Sequence, residues 1–179
     1  MSNADGRIAI ASSKLKLALM TLGAVLFVAG GLVLFAIADT QSRFPPIYVK
    51  VVSVLAIAFF GLCMVYGVLK LFDGAPGLVL DREGIIDNSS ALAAGRVAWH
   101  EIRDIHVVSV KGQRFIALVV RDPGKYLGKG NVLIRWFVEM NYKMYGTPIL
   151  ISAHSLKMRF DDLANQIEHF RRKHGNDEE

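Results

Sequence analysis

Two stretches near the start of the chain carry no charge at all. Leu17 to Ala38 runs for 22 residues. As a helix rising about 1.5 Å per residue it covers about 33 Å, the thickness of a bilayer's hydrocarbon core. Val51 to Leu69 gives 19 more uncharged residues, or about 28 Å. Tyr48, Lys50, Lys70 and Phe72 stand at its ends, where aromatic and snorkelling side chains settle. Between the runs, Asp39-Thr-Gln-Ser-Arg43-Phe-Pro45-Pro46 is short and polar, and its prolines stop the first helix from running on. The pattern predicts a cytoplasmic N-terminal segment over 1–16, then a transmembrane hairpin over 17–72 with spans at 17–38 and 51–69. Arg7, Lys14, Lys16 and Ala36-Ile-Ala38 also look like a secretory signal with its cleavage site. A signal core is usually about 7 to 15 residues, however, and a second span follows directly, so the first run reads as a retained span.

Beyond a turn-rich linker at 73–76 the period shortens to that of strands. Gly77 to Asp81, Gly84 to Asp87 and Arg96 to Trp99 read as short strands, with a polar turn at Asn88-Ser-Ser90. Ile105 to Val110 and Phe115 to Val120 flank Gly112 as a longer hairpin. Asn131 to Tyr145 reads as an amphipathic helix with Leu133, Phe137, Met140 and Met144 on one face, ended by Gly146. Thr147 to Ala153 returns to strand, and Leu156 to Phe160 reads as a brief last one. A final helix from Asp161 carries Leu163, Ile167 and Phe170 as its apolar stripe. Its acids lie at the start and its bases at the end, as the helix dipole prefers. The fold class is α+β: the hairpin, one folded domain over 77–175, and an acidic tail at 176–179.

Charge changes the picture only once it is located. The chain is formally +5, but 6 Lys and Arg against 2 Asp precede Asp73, and 15 against 14 Asp and Glu run from Asp73 onward. Most of the excess flanks the spans, where it sets orientation, and a nucleic-acid partner would need a basic domain face instead. Arg7, Lys14 and Lys16 before the hairpin and Lys70, Arg82 and Arg96 after it outweigh Arg43 and Lys50 near the loop, which predicts cytoplasmic termini. No Asp, Glu, His or Arg lies within either uncharged run, which disfavours a transporter or proton path. The single cysteine, Cys63, has no partner for a disulfide and reads as a packing residue.

Short antiparallel strands closed by a C-terminal helix resemble the pleckstrin-homology-like fold. Leu78-Val-Leu-Asp-Arg-Glu-Gly84-Ile-Ile with Val97-Ala-Trp99-His-Glu101-Ile102 is similar to its bacterial version. Asp87-Asn-Ser-Ser90, Lys111-Gly-Gln-Arg-Phe115, Asn141-Tyr-Lys-Met-Tyr-Gly-Thr-Pro148 and Phe160-Asp-Asp-Leu163 resemble an uncharacterised bacterial family of two-span membrane proteins. The resemblance implies a pleckstrin-homology-like β-barrel or sandwich with a C-terminal helix, held at the bacterial inner membrane. It implies no reaction and no ligand.

The five histidines fall into no metal or triad spacing; His169 and His174 are five apart and so lie on different helix faces. No metal and no cofactor is expected. Ser152, His154 and Asp161 can be drawn as a hydrolase triad, but no nucleophile-elbow glycines accompany them. The one local surplus of charge runs from Lys111 to Lys143, where Lys111, Arg114, Arg121, Lys125, Lys129, Arg135 and Lys143 face only Asp122 and Glu139. With Trp136 and Tyr142 on the same helix, that stretch suits anionic lipid headgroups or a protein partner. The bland alternative places Trp136 and Phe137 in the core. On the spans, Gly23, Gly30, Gly31, Gly61 and Gly67 permit close helix contact, within the hairpin or across a homodimer seam. The expectation is a non-enzymatic, membrane-anchored interaction module. An accessory subunit of a larger membrane complex is the second reading, and a membrane-bound hydrolase the third.

Overall fold

The computed structural model describes residues 6–110 and 112–175, with the backbone of Ser2 and Asn3. Lys111 and the acidic tail lie outside the described residues. The chain divides into two units, one over Lys14–Gly74 and one that joins Met1–Ser13 to Ala75–Glu179.

The first unit is a helical hairpin, α1 (Lys14–Ile37) and α2 (Pro46–Phe72). Both helices are long and apolar enough to cross a membrane. They outrun the uncharged stretches because a helix does not end where charge begins, and they take in Lys14, Lys16, Lys50 and Lys70. Their apolar side chains stand bare: Leu26 is 65 % exposed and Leu62 68 %. A core helix of a water-soluble protein would bury such residues. Pro46 opens α2 at a position where its missing N–H costs nothing. Gln41 closes the connection, its Oε1 accepting from the N–H groups of Arg43 and Phe44 at 3.0 and 3.1 Å. Lys50 reaches back to Asp39 at 2.7 Å.

The second unit is built from two antiparallel sheets and one long helix. The first sheet runs in the order β1 (Ser2–Asn3), β2 (Arg7–Ile10), β3 (Leu78–Leu80), β4 (Gly84–Asp87), β5 (Gly95–Ala98). After a tight turn at Trp99–Glu101, β6 (Ile102–Val110), β7 (Gln113–Val120) and β8 (Ile149–Ser152) form the second. Between β7 and β8 the chain makes the single-turn α3 (Gly124–Leu127) and α4 (Val132–Tyr145), and it closes with α5 (Phe160–His174). Leu78, Leu80, Ile85 and Val97 from the first sheet and Trp99 from the turn share one core with Ile116, Leu118, Ile149 and Ile151 from the second sheet. Leu163, Ile167 and Phe170, spaced to lie on one face of α5, belong to the same core.

Three expectations change. The described strands form two separate sheets and no closed barrel. Leu156 to Phe160 is not a strand: Leu156 makes one isolated bridge to Ser12, and α5 already begins at Phe160. Most consequential, the segment 1–16 is not separate from the domain. Strand β2 pairs with β3 in the register Ile8 to Leu80, Ala9 to Val79 and Ile10 to Leu78. Ile10 is a core residue at 3 % exposure. The next residues are fastened too, with Lys157 N–H donating to Ala11 O at 2.9 Å and Ser13 N–H to Ser155 O at 2.7 Å. The hairpin is thus an insertion within a domain that begins before it.

The full-length Ile10→Ala protein should lose about 2–5 kcal/mol of domain stability, the usual range for truncating a buried isoleucine. Arg7→Ala, on an exposed position of the same strand, should stay within about 0.5 kcal/mol of wild type. Urea unfolding followed by the fluorescence of buried Trp99 makes the comparison.

Candidate functional site

The connection between β7 and β8 is held to the domain at both ends, and α4 hangs between the two ties. At the first, Glu101 carries three bonds: its carboxylate accepts from the Ala98 N–H at 3.1 Å, from the Tyr126 hydroxyl at 2.9 Å, and from the Lys125 ammonium. Burial pushes this carboxyl up, but the bonds from Lys125, Ala98 and Tyr126 together outweigh it and hold the group at about 2, below its ordinary 4.5. Burial and the Glu101 carboxylate both raise the Tyr126 phenol. At the second tie, buried Thr147 donates its hydroxyl to Leu118 O and accepts from Ile149 N–H at 3.2 Å. Asn131 caps the start of α4 by accepting from Ile134 N–H at 2.9 Å. Gly146 ends the helix in the left-handed region at φ 72°, which glycine adopts without strain.

Placement of α4 outside the central core decides what its two faces do. The helix contacts β8, and Ile134, Val138, Asn141 and Tyr145, buried or half-buried, are spaced so that they share one side. Val138 is its only fully buried side chain. A recess of about 130 Å³ remains behind it, lined by Ile134, Val138, Tyr126, Lys129 and the Ala91–Ala94 loop. The opposite side is apolar as well: Val132 is 74 % exposed, Leu133 58 %, Trp136 56 % and Met144 61 %. Trp136 therefore does not lie in the core; Phe137 is half-buried at the edge of the stripe, and Met140, also half-buried, lies within it.

The basic residues of this stretch separate into two groups. Arg114 pairs with Asp161 at 2.7 Å, and its guanidinium lies 4.4 Å over the Phe160 ring, fastening the start of α5 to β7. Arg114 holds the Asp161 carboxyl below its ordinary value. Lys125 is engaged by Glu101. Both are structural cations. Lys129 stands 4.8 Å over the Tyr126 ring, and Arg135 and Lys143 are exposed on α4. Among the described residues these last three make no ion pair. At 100° per residue Lys143 projects within the bare apolar stripe, between Val132 and Trp136, Arg135 lies about 60° beyond Val132 with Glu139 between them, and Lys129 lines the recess behind α4. Lys111 falls outside the described residues.

The glycines of the hairpin separate likewise. A Cβ on Gly67 would run into the Thr21 side chain, and one on Gly31 would lie 2.8 Å from Ile57 Cγ1. These two form the contact between α1 and α2, beside Phe27 and Phe60 stacked at 4.3 Å. Gly23, Gly30 and Gly61 meet nothing within 4 Å and take no part in it. The residues once drawn as a triad are occupied elsewhere: Asp161 binds Arg114, and Ser152 Oγ accepts from the His154 backbone N–H at 3.2 Å. Among the described residues, no three His, Cys, Asp or Glu side chains converge as metal ligands. The Asn88-Ser-Ser90 turn is built on buried Asp87, which accepts from Ser89 N–H at 2.9 Å and Ser89 Oγ at 2.6 Å.

No protein-family model, no curated protein and no solved structure matches this chain. The bare face of α4 is accordingly judged by its own geometry.

Two measurements test these assignments. Because the folded pKa of Glu101 lies below its unfolded one, its contribution is complete above the ordinary 4.5 and disappears as pH falls through about 2. Unfolding curves across that window should be steeper in pH for wild type than for Glu101→Gln. In the hairpin, Gly67→Leu should lower the thermal midpoint of the helical circular-dichroism signal in detergent, whereas Gly23→Leu, Gly30→Leu and Gly61→Leu should leave it within a few degrees.

Proposed function

We propose that this protein is a membrane-anchored, non-enzymatic interaction module whose contact surface is the outward face of α4. The observation that carries the reading is four bare apolar side chains on one helix, with Lys143 among them and Arg135 beside them, neither of which makes an ion pair among the described residues. A water-exposed helix gains nothing from that arrangement, and a binding surface does. In this reading the apolar hairpin crosses the bacterial inner membrane twice, with the domain and both termini in the cytoplasm. The pairing of β2 with β3 supports it, because strands of one sheet must lie on the same side of the bilayer. The excess of Lys and Arg near the domain ends of the hairpin favours the cytoplasmic side.

The domain reads as a pleckstrin-homology-like unit. Four strands from β2 to β5, three from β6 to β8 and a C-terminal helix against the shared core support this. The membrane-complex reading draws instead on Gly23, Gly30 and Gly61, whose open faces would admit a neighbouring helix.

Photo-crosslinking in native membranes tests the module. A photoreactive residue at Leu133 or Trp136 should yield adducts, with lipid or protein, well above those from Val107, an equally exposed apolar position on β6. Equal yields at the three positions would remove the α4 face as a contact surface.

A further inference from the structure

Resting on that reading, we propose that the occupant of the α4 face is the anionic surface of the bilayer that holds the hairpin. The helix would lie in the headgroup layer with Val132, Leu133, Trp136 and Met144 toward the acyl chains and Arg135 and Lys143 among the phosphates.

Three observations favour a bilayer over a protein. The exposed stripe is a row of large apolar side chains, Val132, Leu133, Trp136 and Met144, each more than half exposed, which suits insertion into a fluid apolar layer. Lys143 stands inside the stripe and Arg135 just beyond its rim, and the long Lys143 side chain can extend past the apolar level to a phosphate. Trp136 combines an apolar ring with an N–H donor, the pairing that settles at the headgroup boundary. The acid nearest the stripe, Glu139, stands between Arg135 and Val132 on the helix and one turn from Lys143.

The chain also makes such an encounter inexpensive. Only Ala11–Ser13 separate β2 from α1, and only Asp73–Gly77 separate α2 from β3. With two short links to a hairpin in the bilayer, docking α4 is an intramolecular step at high effective concentration. A face too weak to bring a free domain to the membrane suffices when the domain is already tethered there. The two ties at Glu101 and Thr147 keep α4 in place on the domain, so the stripe is presented as a formed helix and little ordering entropy remains to be lost.

Full-length protein in nanodiscs decides the matter, with phosphatidylcholine brominated on its acyl chains as quencher. The signal from Trp136 is isolated by subtracting that of Trp136→Phe, since the only other tryptophan, Trp99, is buried in the domain. In discs that also contain phosphatidylglycerol, Trp136 should be quenched and blue-shifted. Replacing Arg135 and Lys143 by Gln should weaken docking by about fivefold per residue, about twenty-fivefold together. Unchanged Trp99 emission shows that this variant remains folded.

Absence of quenching in the anionic discs, or equal quenching in phosphatidylcholine alone, would overturn the anionic-bilayer assignment. Protein adducts at Leu133 and Trp136 with no lipid quenching would leave the interaction module standing and remove only the bilayer as its occupant. Neither adducts nor quenching would remove both.

Discussion

The pairing of β2 with β3 constrains everything else about this chain. A strand that precedes the apolar hairpin and one that follows it lie side by side, with Ile10 opposite Leu78 and buried in the common core. Ser12 and Ser13 then run along Ser155–Lys157, and Gly77 packs so closely against Ser12 and Leu156 that a side chain there would displace them. The chain therefore leaves the domain and returns to it through one clamped place. Any arrangement that put the two ends of the hairpin on opposite sides of a membrane would separate β2 from its sheet and expose Ile10, Leu78 and Leu80. Whatever the hairpin crosses, the hydrophobic core of the domain thus requires its two ends to lie on one side, independently of flanking charge.

A second consequence follows from where α4 is attached. The core is complete without it: the two sheets and α5 enclose the large apolar residues, and α4 rests on β8 from outside through Val138 and its neighbours. Evolution of its outer face is then free of the packing constraint that fixes Leu163 or Ile167. What α4 does need is position, and Glu101 and Thr147 supply it. Glu101 is suited to that task because it ends a tight turn, where one oxygen serves the Ala98 N–H while Tyr126 and Lys125 reach it from α3. A carboxylate with three donors keeps its charge in spite of partial burial.

The long apolar runs were legible in the sequence because length alone distinguishes them, and so was α5, where Leu163, Ile167 and Phe170 follow helical spacing among polar residues. The β6–β7 hairpin was legible through its alternation around Gly112. Strand β2 was not. Arg7-Ile-Ala-Ile10 is too short to show a period, and its closeness to Lys14 invites its reading as the flank of a span; only the partner strand makes it one. α3 escaped for a similar reason, being a single turn. For α4 the element was legible but its orientation was not, since apolar residues occupy both sides of the wheel and either could be the core face. Arg114 and Lys125 looked like free surface charge because their partners, Asp161 and Glu101, lie 47 and 24 positions away.

Order of synthesis adds the last step. β2 is made first, yet its partner appears only after the whole hairpin, so an unaided search would have to close a long loop before any strand contact offsets the cost. That cost grows slowly, about 0.6 kcal/mol per doubling of loop length, but it falls on a strand of only four residues, which has little to set against it. Association of α1 with α2 through Gly31, Gly67 and the stacked Phe27 and Phe60 removes most of the loop, because an antiparallel hairpin returns its second end beside its first. The remaining gap is the two short links at Ala11–Ser13 and Asp73–Gly77. In this chain, then, the helix contacts at Gly31 and Gly67 act on the domain as well as on the hairpin: they bring together the ends that β2 and β3 must join. Loosening that seam would lengthen the effective loop and weaken the first sheet, even though no residue of the domain had changed.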